Sequence, residues 1–238
     1  MEASLYLHVP FCAGLCDYCD FYSVPVAIGD KRLDRYIDRL IADTAEQMGR
    51  FAVTQVPTVY IGGGTPSVLG AAGITRLLAG LGSLLPNTPD EFTMELNPET
   101  MDEGVLRSCR DGGVSRISLG VQSFHEPSRR LIHRRGDAAM LPERLSLAAD
   151  WYGGSFSADL MAGLPEQDES RILRDIEKLL RFNPAHVSLY SLTLAEDTPL
   201  EENLRLKRVH LPDPDTADRL WLAGRDTLEQ AGLKPRSF

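Results

Sequence analysis

Residues 5–21 read LYLHVPFCAGLCDYCDF, an apolar strand followed at once by cysteines in a C-x3-C-x2-C array. Cys12, Cys16 and Cys19 offer three thiolates to an iron–sulfur cluster and leave one iron without a protein ligand. A cluster held by four cysteines is suited to carrying electrons, whereas an open iron can bind a small molecule, as an open zinc site does. A zinc site, a disulfide pair and buried structural thiols are alternative uses of the array.

The rest of the chain narrows these alternatives. One further cysteine, Cys109, lies in a predicted helix, where we expect it to pack in the core. No charged-then-apolar leader precedes Leu5, so we expect a cytoplasmic protein, and disulfides are rare in that compartment. A structural zinc site would need a fourth Cys or His at similar spacing. Asp20 directly follows Cys19, where such a ligand could stand. His8 is nearby, but the predicted strand fixes the direction of its side chain, so it is a weak candidate for the fourth ligand. Zinc is therefore the weaker interpretation.

Composition limits the class of protein. The chain has 238 residues, of which 43% are hydrophobic, as expected for one domain with a small appendage. No apolar run approaches the roughly 20 residues that span a bilayer. A formal charge of −9 argues against nucleic acid as a partner. One basic run is predicted to be mostly a solvated helix face, with Arg134 as an exception; it comprises Arg129, Arg130, His133, Arg134 and Arg135.

Short apolar runs alternate with longer amphipathic stretches, which is typical of repeated βα units. The predicted strands are Leu5–Val9, Thr58–Ile61, Phe92–Leu96, Ser115–Val121, Phe156–Met161 and His186–Leu192. The predicted helices are Lys31–Arg50, Ala71–Leu85, Met101–Asp111, Glu126–His133, Pro142–Tyr152, Asp168–Arg181 and a last helix, Asp215–Ala231, which could cover an open sheet edge. A closed eight-fold barrel needs about 250 residues. Six units therefore predict an α/β fold with parallel strands in a partial (β/α)6 barrel.

Several of these strands are polar on one face. Side chains alternate across a strand, and the polar set is Tyr6, His8, Thr93, Glu95, Asn97, Arg116, Ser118, Gln122, Ser155, Ser157, Asp159, His186, Ser188 and Tyr190. Unsatisfied buried polar groups cost roughly 1–3 kcal/mol each. We therefore expect a barrel lumen lined for a polar ligand, rather than strand ends that satisfy one another internally.

A glycine-rich edge follows the second predicted strand, with the sequence Gly62-Gly63-Gly64-Thr65-Pro66-Ser67. Consecutive glycines let the backbone approach a ligand and expose its N–H and C=O groups. The segment lacks the Lys-Ser/Thr ending of a Walker loop and the spacing of a Rossmann turn. Its place at the carboxyl end of a strand, where barrel sites lie, favours a ligand-binding edge over a plain tight turn.

Six sequence blocks resemble, in order, those of the radical S-adenosylmethionine (SAM) HemN/HemW family. They are Tyr6-x-His8-x-Pro10-Phe11-Cys12-x3-Cys16-x-Tyr18-Cys19-Asp20-Phe21, Gly62–Ser67, Glu95-x-Asn97-Pro98, Arg116–Phe124, Asp159-Leu160-Met161-x-Gly163-Leu164-Pro165 and His186-x-Ser188-x-Tyr190. Together they cover most of the chain, from Leu5 to about Pro199. The resemblance implies a partial (β/α)6 barrel, in agreement with the strand count.

The same resemblance implies the cofactors and the residues that hold them. Cys12, Cys16 and Cys19 match the ligands of a [4Fe-4S] cluster, whose fourth iron would bind SAM through its amino and carboxylate groups. The positions that match SAM contacts in the family are Tyr6, Tyr18, Gly63, Gly64, Thr65, Glu95, Gln122, Arg134 and Asp159. Glu95 and Asp159 suit hydroxyl or ammonium groups, and Arg134 suits a carboxylate.

Departures from the family pattern select a branch. Coproporphyrinogen III oxidases of the family usually carry another Cys two residues after the third, whereas Phe21 stands there, and they have an extension before the first strand. Both features favour the HemW-like haem chaperones, with haem or porphyrin as cargo and a haem-accepting protein and an electron donor as partners. A radical SAM enzyme, either the oxidase or a HemN-like methyltransferase, is the alternative.

The resemblance also implies a division of the chain. We expect residues 1–200 to form the radical SAM barrel and residues 201–238 to form a short helical extension. HemW-like chains continue into a C-terminal domain with an H-N-x-x-Y-W motif that is associated with haem handling. We therefore expect this sequence to lack most of that accessory domain.

Overall fold

The computed structural model describes residues 1–236, so the final two residues of the predicted extension lie outside it. Its strands are β1 (Leu5–Val9), β2 (Phe11–Cys12), β3 (Val24–Pro25), β4 (Thr58–Gly63), β5 (Glu91–Leu96), β6 (Arg116–Gln122), β7 (Phe156–Ala162) and β8 (His186–Ser191). Its α-helices are α1 (Lys31–Arg50), α2 (Gly70–Gly82), α3 (Glu103–Asp111), α4 (Glu126–Leu131), α5 (Leu141–Tyr152), α6 (Glu169–Leu180), α7 (Pro199–Arg205) and α8 (Pro214–Gln230).

Six of the strands form one parallel sheet in the order β1-β4-β5-β6-β7-β8. This confirms the predicted α/β class and the six predicted strands, whose bounds agree to within two residues. In residues 1–236 the first and last strands do not pair, so the sheet has two edges, as a partial barrel requires. Because all strands run the same way, their carboxyl ends meet at one side of the molecule.

The apolar face of the sheet packs under the helices. Side chains on this face are buried because the helices present apolar stripes to them, and the fully buried members include Val9, Ile61, Met94, Leu119 and Leu160. Helix α1 begins where the Asp30 carboxylate accepts a hydrogen bond from the backbone N–H of Arg32, a standard N-cap. Cys109 is buried with its Sγ 3.6 Å from the Met94 Sδ, which confirms its core role.

Two helices follow the last strand. The predicted last helix is confirmed as α8, which packs on α6 and on the edge strand β8. The indole N–H of Trp221 donates to the backbone oxygen of Leu189 at 2.9 Å. At Gly224 an added Cβ would lie only 2.9 Å from the Leu189 side chain, so this glycine permits the close approach. Helix α7 was not predicted, and it contacts the cysteine-containing loop.

The basic run is only partly solvated. Arg130, His133 and Arg135 are exposed as expected, but the expectation of a solvated face is wrong for Arg129, which is 1% exposed. Its guanidinium donates to four backbone oxygens, those of Val121, Ser123, Arg135 and Gly136. Arg129 therefore ties the segment after α4 to the end of β6. In the described part of the chain, every helix is too short or too polar to cross a membrane.

Candidate cluster and cofactor site

The three cysteines lie in one loop, which we call the cysteine loop (residues 10–25), between β1 and α1. Its ends are fixed because β2 pairs with β3, with Cys12 opposite Pro25. The backbone N–H of Val26 donates to the Cys12 oxygen at 2.9 Å. Farther along, the Cys19 N–H donates to the Cys16 oxygen at 3.2 Å, which forms a tight turn. The loop thus holds its cysteines over the carboxyl ends of the strands.

The three thiols are unpaired and half-buried. They lie near enough to one another for the charge of one to affect the pKa of another. Burial raises the pKa of Cys16, and the Arg134 guanidinium opposes this while Glu99 and Cys12 add to it. Burial also raises the pKa of Cys19; a hydrogen bond from the Phe21 backbone opposes the rise, and Cys16 and Cys12 add to it. Gathering three thiolates here is unfavourable without a cation. The donor set therefore fits a positively charged iron–sulfur core.

The thiols do not form a single-ion site. No group of three or more His, Cys, Asp or Glu side chains within residues 1–236 is arranged to hold one metal ion. A [4Fe-4S] cluster distributes its ligands over separate irons, so its thiolates need not converge on one point. The arrangement is consistent with the predicted cluster and gives no support to the alternative zinc site.

The glycine-rich edge is pressed against the cysteine loop. The N–H of Gly64 donates to the Val9 oxygen at 2.9 Å, and that of Thr65 donates to the Phe11 oxygen at 2.7 Å. A Cβ at Gly64 would lie 2.7 Å from the Phe11 oxygen and 3.0 Å from the Cys12 Sγ. This approach explains the glycine physically, because even a methyl group would displace the backbone beside the first cysteine.

Thr65 links that edge to the first thiol. Its side chain is 3% exposed; the hydroxyl donates to the Cys12 Sγ at 3.4 Å and accepts from the Asn97 amide at 3.0 Å. A hydroxyl donor directed at a thiolate stabilises its charged form. Asn97 thus orients the Thr65 hydroxyl, which in turn donates to the Cys12 thiol.

Glu95 occupies the lumen beside the glycine-rich edge. Its carboxylate accepts from the Tyr60 hydroxyl at 2.6 Å and from the Gly63 N–H at 3.1 Å. Gly63 has a φ of +112°, and a Cβ there would lie 2.7 Å from the His8 ring. Burial raises the pKa of Glu95, although both hydrogen bonds oppose this shift. A carboxylate held in this way can accept from a hydroxyl or ammonium group of a ligand.

Arg134 and Gln122 meet at the carboxyl end of β6. Gln122 has a φ of +67°, a strained value for a residue other than glycine, and it lies at a register shift in the pairing with β7. A Cβ at Gly120 would be 3.0 Å from the Arg134 guanidinium and 3.1 Å from the Gln122 amide. The missing side chain at Gly120 therefore lets both groups enter the site.

Arg134 contacts the second thiol as well as an acidic partner. Its Nη1 lies 3.7 Å from the Cys16 Sγ, and its Nη2 lies 3.8 Å from a Glu99 oxygen. Burial alone would lower the pKa of Arg134, but Glu99, Tyr18 and Cys16 raise it above its ordinary value. The Arg134 Nε and the Glu99 Oε2 are buried without hydrogen-bond partners. The Glu99 Oε2 therefore has only its long ion pair with Arg134, and the unpartnered Arg134 Nε fits a polar ligand.

The other three predicted SAM contacts lie in three different places: the lumen, the rim of the sheet and the cysteine loop. Asp159 of β7 accepts from the Ser188 hydroxyl, and burial raises its pKa to about 6. Tyr6 is 61% exposed on the edge strand β1, where its ring stacks on Tyr60 with centroids 6.0 Å apart. Tyr18 lies within the cysteine loop, near Arg134, and packs on a small apolar cluster. The structure thus gathers the glycine-rich edge, Glu95, Gln122 and Arg134 near the thiols, with Tyr6 at the rim.

The polar lumen divides into two layers. Near the amino ends of the strands, Arg116 donates to Ser157 at 2.9 Å and to Thr93 at 3.4 Å, and Ser157 donates to Ser118 at 2.8 Å. Arg116, Thr93, Ser157 and Ser118 thus satisfy one another, although the Nδ1 of His186 in the same layer is buried without a hydrogen-bond partner. The expected ligand lining is therefore strongest at the carboxyl ends. There the polar groups include Glu95 and Asp159, and the charge of Glu95 adds to the burial that raises the pKa of Asp159.

Three supporting residues were not among the predicted site residues. Tyr60 holds Glu95, Asn97 holds Thr65, and Glu99 faces Arg134. The alternation along β4 places Tyr60 on the same face as Gly62, so strand parity could have identified it. Glu99 lies in a turn beyond β5, and no sequence periodicity indicates its direction.

Comparisons with known proteins agree with this geometry. The family model of the Radical SAM superfamily matches residues 6–179. "Heme chaperone HemW" of Escherichia coli (strain K12) is 35% identical over 97% of this chain and 60% of its own length. "Radical S-adenosyl methionine domain-containing protein 1, mitochondrial" of Bos taurus is 32% identical over 98% of this chain and 52% of its own length. The chain therefore spans about half to three-fifths of these relatives.

Solved structures show the same fold. The structure of coproporphyrinogen III oxidase (HemN) from Escherichia coli, a radical SAM enzyme, matches this chain with a TM-score of 0.84 and 27% identity. The match covers 96% of this chain and 52% of that one. The archaeal Elp3 of Methanocaldococcus infernus has a TM-score of 0.60 at 15% identity, covering 99% of this chain and 65% of that one, which shows a shared fold alone.

Proposed function

The chain belongs to the radical SAM superfamily, and from this premise we propose that Cys12, Cys16 and Cys19 hold a [4Fe-4S] cluster. The observation that carries the proposal is the set of three unpaired, half-buried thiols, supported by Thr65 and Arg134. A cluster bound by three thiolates keeps one iron open for SAM. When bound, this group supplies an electron to SAM at low potential.

We further propose that the residues around the thiols bind SAM. The glycine-rich edge offers backbone N–H and C=O groups at Gly63 and Gly64, while Glu95 and Asp159 offer carboxylates for hydroxyl or ammonium groups. Arg134 would orient the carboxylate of SAM through a guanidinium that Glu99 already keeps charged. Tyr6, Tyr18, Thr65 and Gln122 complete the proposed SAM set. Of these, Thr65 is buried against the Cys12 thiol, where it would exclude water.

For the whole protein we propose a HemW-like haem chaperone, with haem or porphyrin as cargo. The support is the similarity to curated HemW proteins over nearly all of this chain and the presence of Phe21 in place of a further cysteine. A haem-accepting protein and an electron donor are the partners that this role requires. A reducing compartment such as the cytoplasm would keep the four cysteines unpaired.

We also propose that residues 1–200 act as the barrel and residues 201–238 as a short helical extension. The end of β8 at Ser191 supports a boundary in this region. The contacts of α8 with α6 and β8 support an extension that packs on the barrel rather than a separate body.

A radical SAM enzyme acting on a porphyrin is the second candidate. The observation that favours it is the likeness to the coproporphyrinogen III oxidase HemN, with a TM-score of 0.84. Such an enzyme would either decarboxylate coproporphyrinogen III or, as a HemN-like methyltransferase, use a second SAM.

One anaerobic experiment separates the two functions. The chain is reconstituted with iron and sulfide, titrated with haem, and incubated in parallel with SAM, a reductant and coproporphyrinogen III. The chaperone proposal expects saturable haem binding with no conversion of the porphyrinogen. Formation of protoporphyrinogen together with 5′-deoxyadenosine would refute the chaperone and support the oxidase.

A further inference from the structure

Helix α7 lies against the middle of the cysteine loop. The helix itself is outside the residues 6–179 that the family model matches. The backbone N–H of Leu200 donates to the Asp17 oxygen at 3.0 Å. The Asn203 amide donates to the Asp17 carboxylate at 3.1 Å. Asp17 is 7% exposed and immediately follows Cys16. One helix after the sheet thus holds both the backbone and the side chain of this loop residue.

The segment after α4 holds Asp17 from another direction. The Asp17 N–H donates to the Ile132 oxygen at 3.0 Å, and the His133 Nδ1 lies 2.6 Å from the same carboxylate oxygen that Asn203 contacts. Asp17 is therefore fixed at its N–H, its C=O and its carboxylate. Two elements distant in sequence hold the turn between the second and third cysteines.

Apolar packing reinforces these contacts. Leu200 is fully buried in a small cluster with Ile132, Met161, Leu164 and Val209, separate from the main core. Tyr18, which stands between Cys16 and Cys19, packs against this cluster. Helix α7 therefore supplies an apolar base for the part of the loop that carries two thiols.

We propose that Leu200 and Asn203 are positioning residues for the iron–sulfur cluster, acting through Asp17 and Tyr18 to keep Cys16 and Cys19 in place. The inference rests on the proposed function, since it requires that these thiols bind the cluster. A loop ordered before binding loses less conformational entropy when its ligands engage. On this account residues 199–209 belong functionally with the barrel, although the proposed boundary at residue 200 divides them.

The test uses the full chain with matched substitutions. Leu200→Ala and Asn203→Ala remove the apolar and polar contacts; Leu200→Met preserves the packing, and Leu206→Ala removes a leucine that is 44% exposed just beyond α7. Each protein is reconstituted anaerobically and mixed with an iron chelator. The rate of iron release is then measured from the decrease in cluster absorbance. The electron paramagnetic resonance spectrum of the reduced cluster is recorded with and without SAM.

We expect Asn203→Ala to release iron at least about tenfold faster than the wild type, as for loss of a hydrogen bond to a charged group. Leu200→Ala should release it faster still, because loss of a buried leucine costs more. Their spectra should broaden, whereas Leu200→Met and Leu206→Ala should match the wild type. If Leu200→Ala does not fold by circular dichroism, Asn203→Ala decides the result. Wild-type release rates and spectra in that variant would overturn the inference while leaving the cluster itself in place. A wild type that binds no cluster would instead refute the proposed function.

Discussion

Asp175 of α6 is a buried carboxyl group whose titration should contribute strongly to the pH dependence of stability. It is 2% exposed and accepts hydrogen bonds from the Ser123 hydroxyl and the Phe124 N–H. Burial raises its pKa from 3.8 to about 6, although these two hydrogen bonds oppose the shift. The Ser123 hydroxyl also accepts from the His125 N–H at 2.9 Å, so Asp175 anchors the turn into α4.

The raised pKa of Asp175 makes the folded protein more stable at acidic pH than at neutral pH. Because the folded protein binds this proton more tightly than the unfolded chain, Asp175 contributes stability that is fully present below pH 3.8 and is lost as the pH rises through about 6. A shift of about two pKa units, at about 1.4 kcal/mol per unit, corresponds to a loss of about 3 kcal/mol between pH 4 and pH 7.5. Asp159, with a pKa also raised to about 6, titrates in the same window and must be separated from it.

The substitution Asp175→Asn isolates this contribution, because it keeps the size of the side chain and removes its titration. Urea denaturation is measured at intervals from pH 4 to pH 7.5 for the wild type, for Asp175→Asn and for Asp150→Asn, a control at an exposed carboxylate. Relative to the wild type, Asp175→Asn should gain about 3 kcal/mol in free energy of unfolding from the lowest to the highest pH. A difference that stays constant with pH would show that Asp175 is not held with a raised pKa and would refute the reasoning.

Two further pairs of substitutions test the close approach at Gly64 and the buried guanidinium of Arg129. Gly64→Ala should lower the free energy of unfolding by about 1–3 kcal/mol and reduce iron uptake on reconstitution, because its Cβ would meet the backbone beside Cys12. Gly49→Ala is the matched control, since an added Cβ there has no neighbour within 4 Å. It should instead stabilise α1 by about 0.5–1 kcal/mol. Full iron uptake by Gly64→Ala would contradict this. Arg129→Met should lower the free energy of unfolding in urea by at least about 3 kcal/mol, since four backbone oxygens lose their donor. Arg130→Met, at a 73% exposed side chain, should change it by less than about 0.5 kcal/mol, and equal effects of the two would refute the buried role.

Much of the fold could be predicted because its signals are local. The alternation of apolar and polar side chains located all six strands of the sheet, and the glycine-rich edge was expected at the carboxyl end of β4. The unexpected features depend on distant pairings. Arg129 looks like a solvated residue until its guanidinium is seen to satisfy four backbone oxygens from two separate segments. Likewise, no local pattern predicts that Asn203 reaches Asp17.

In the candidate site, too, local sequence patterns were predictive and contacts between distant residues were not. The array of cysteines and the order of the sequence blocks predicted which residues meet, because strand ends in a parallel sheet share one side. The positions of individual side chains could not be derived, since they depend on contacts across the lumen. Tyr60 holding Glu95 and Glu99 facing Arg134 are examples.

The central claim is that the three loop cysteines, and not Cys109, bind a [4Fe-4S] cluster. The most direct measurement is the iron and sulfide content after anaerobic reconstitution of the wild type, of Cys12→Ala, Cys16→Ala and Cys19→Ala, and of Cys109→Ala as the matched control. The account predicts about four irons per chain in the wild type and in Cys109→Ala, with the cluster lost from each of the other three variants. A wild-type complement of iron in Cys12→Ala, Cys16→Ala or Cys19→Ala would contradict it.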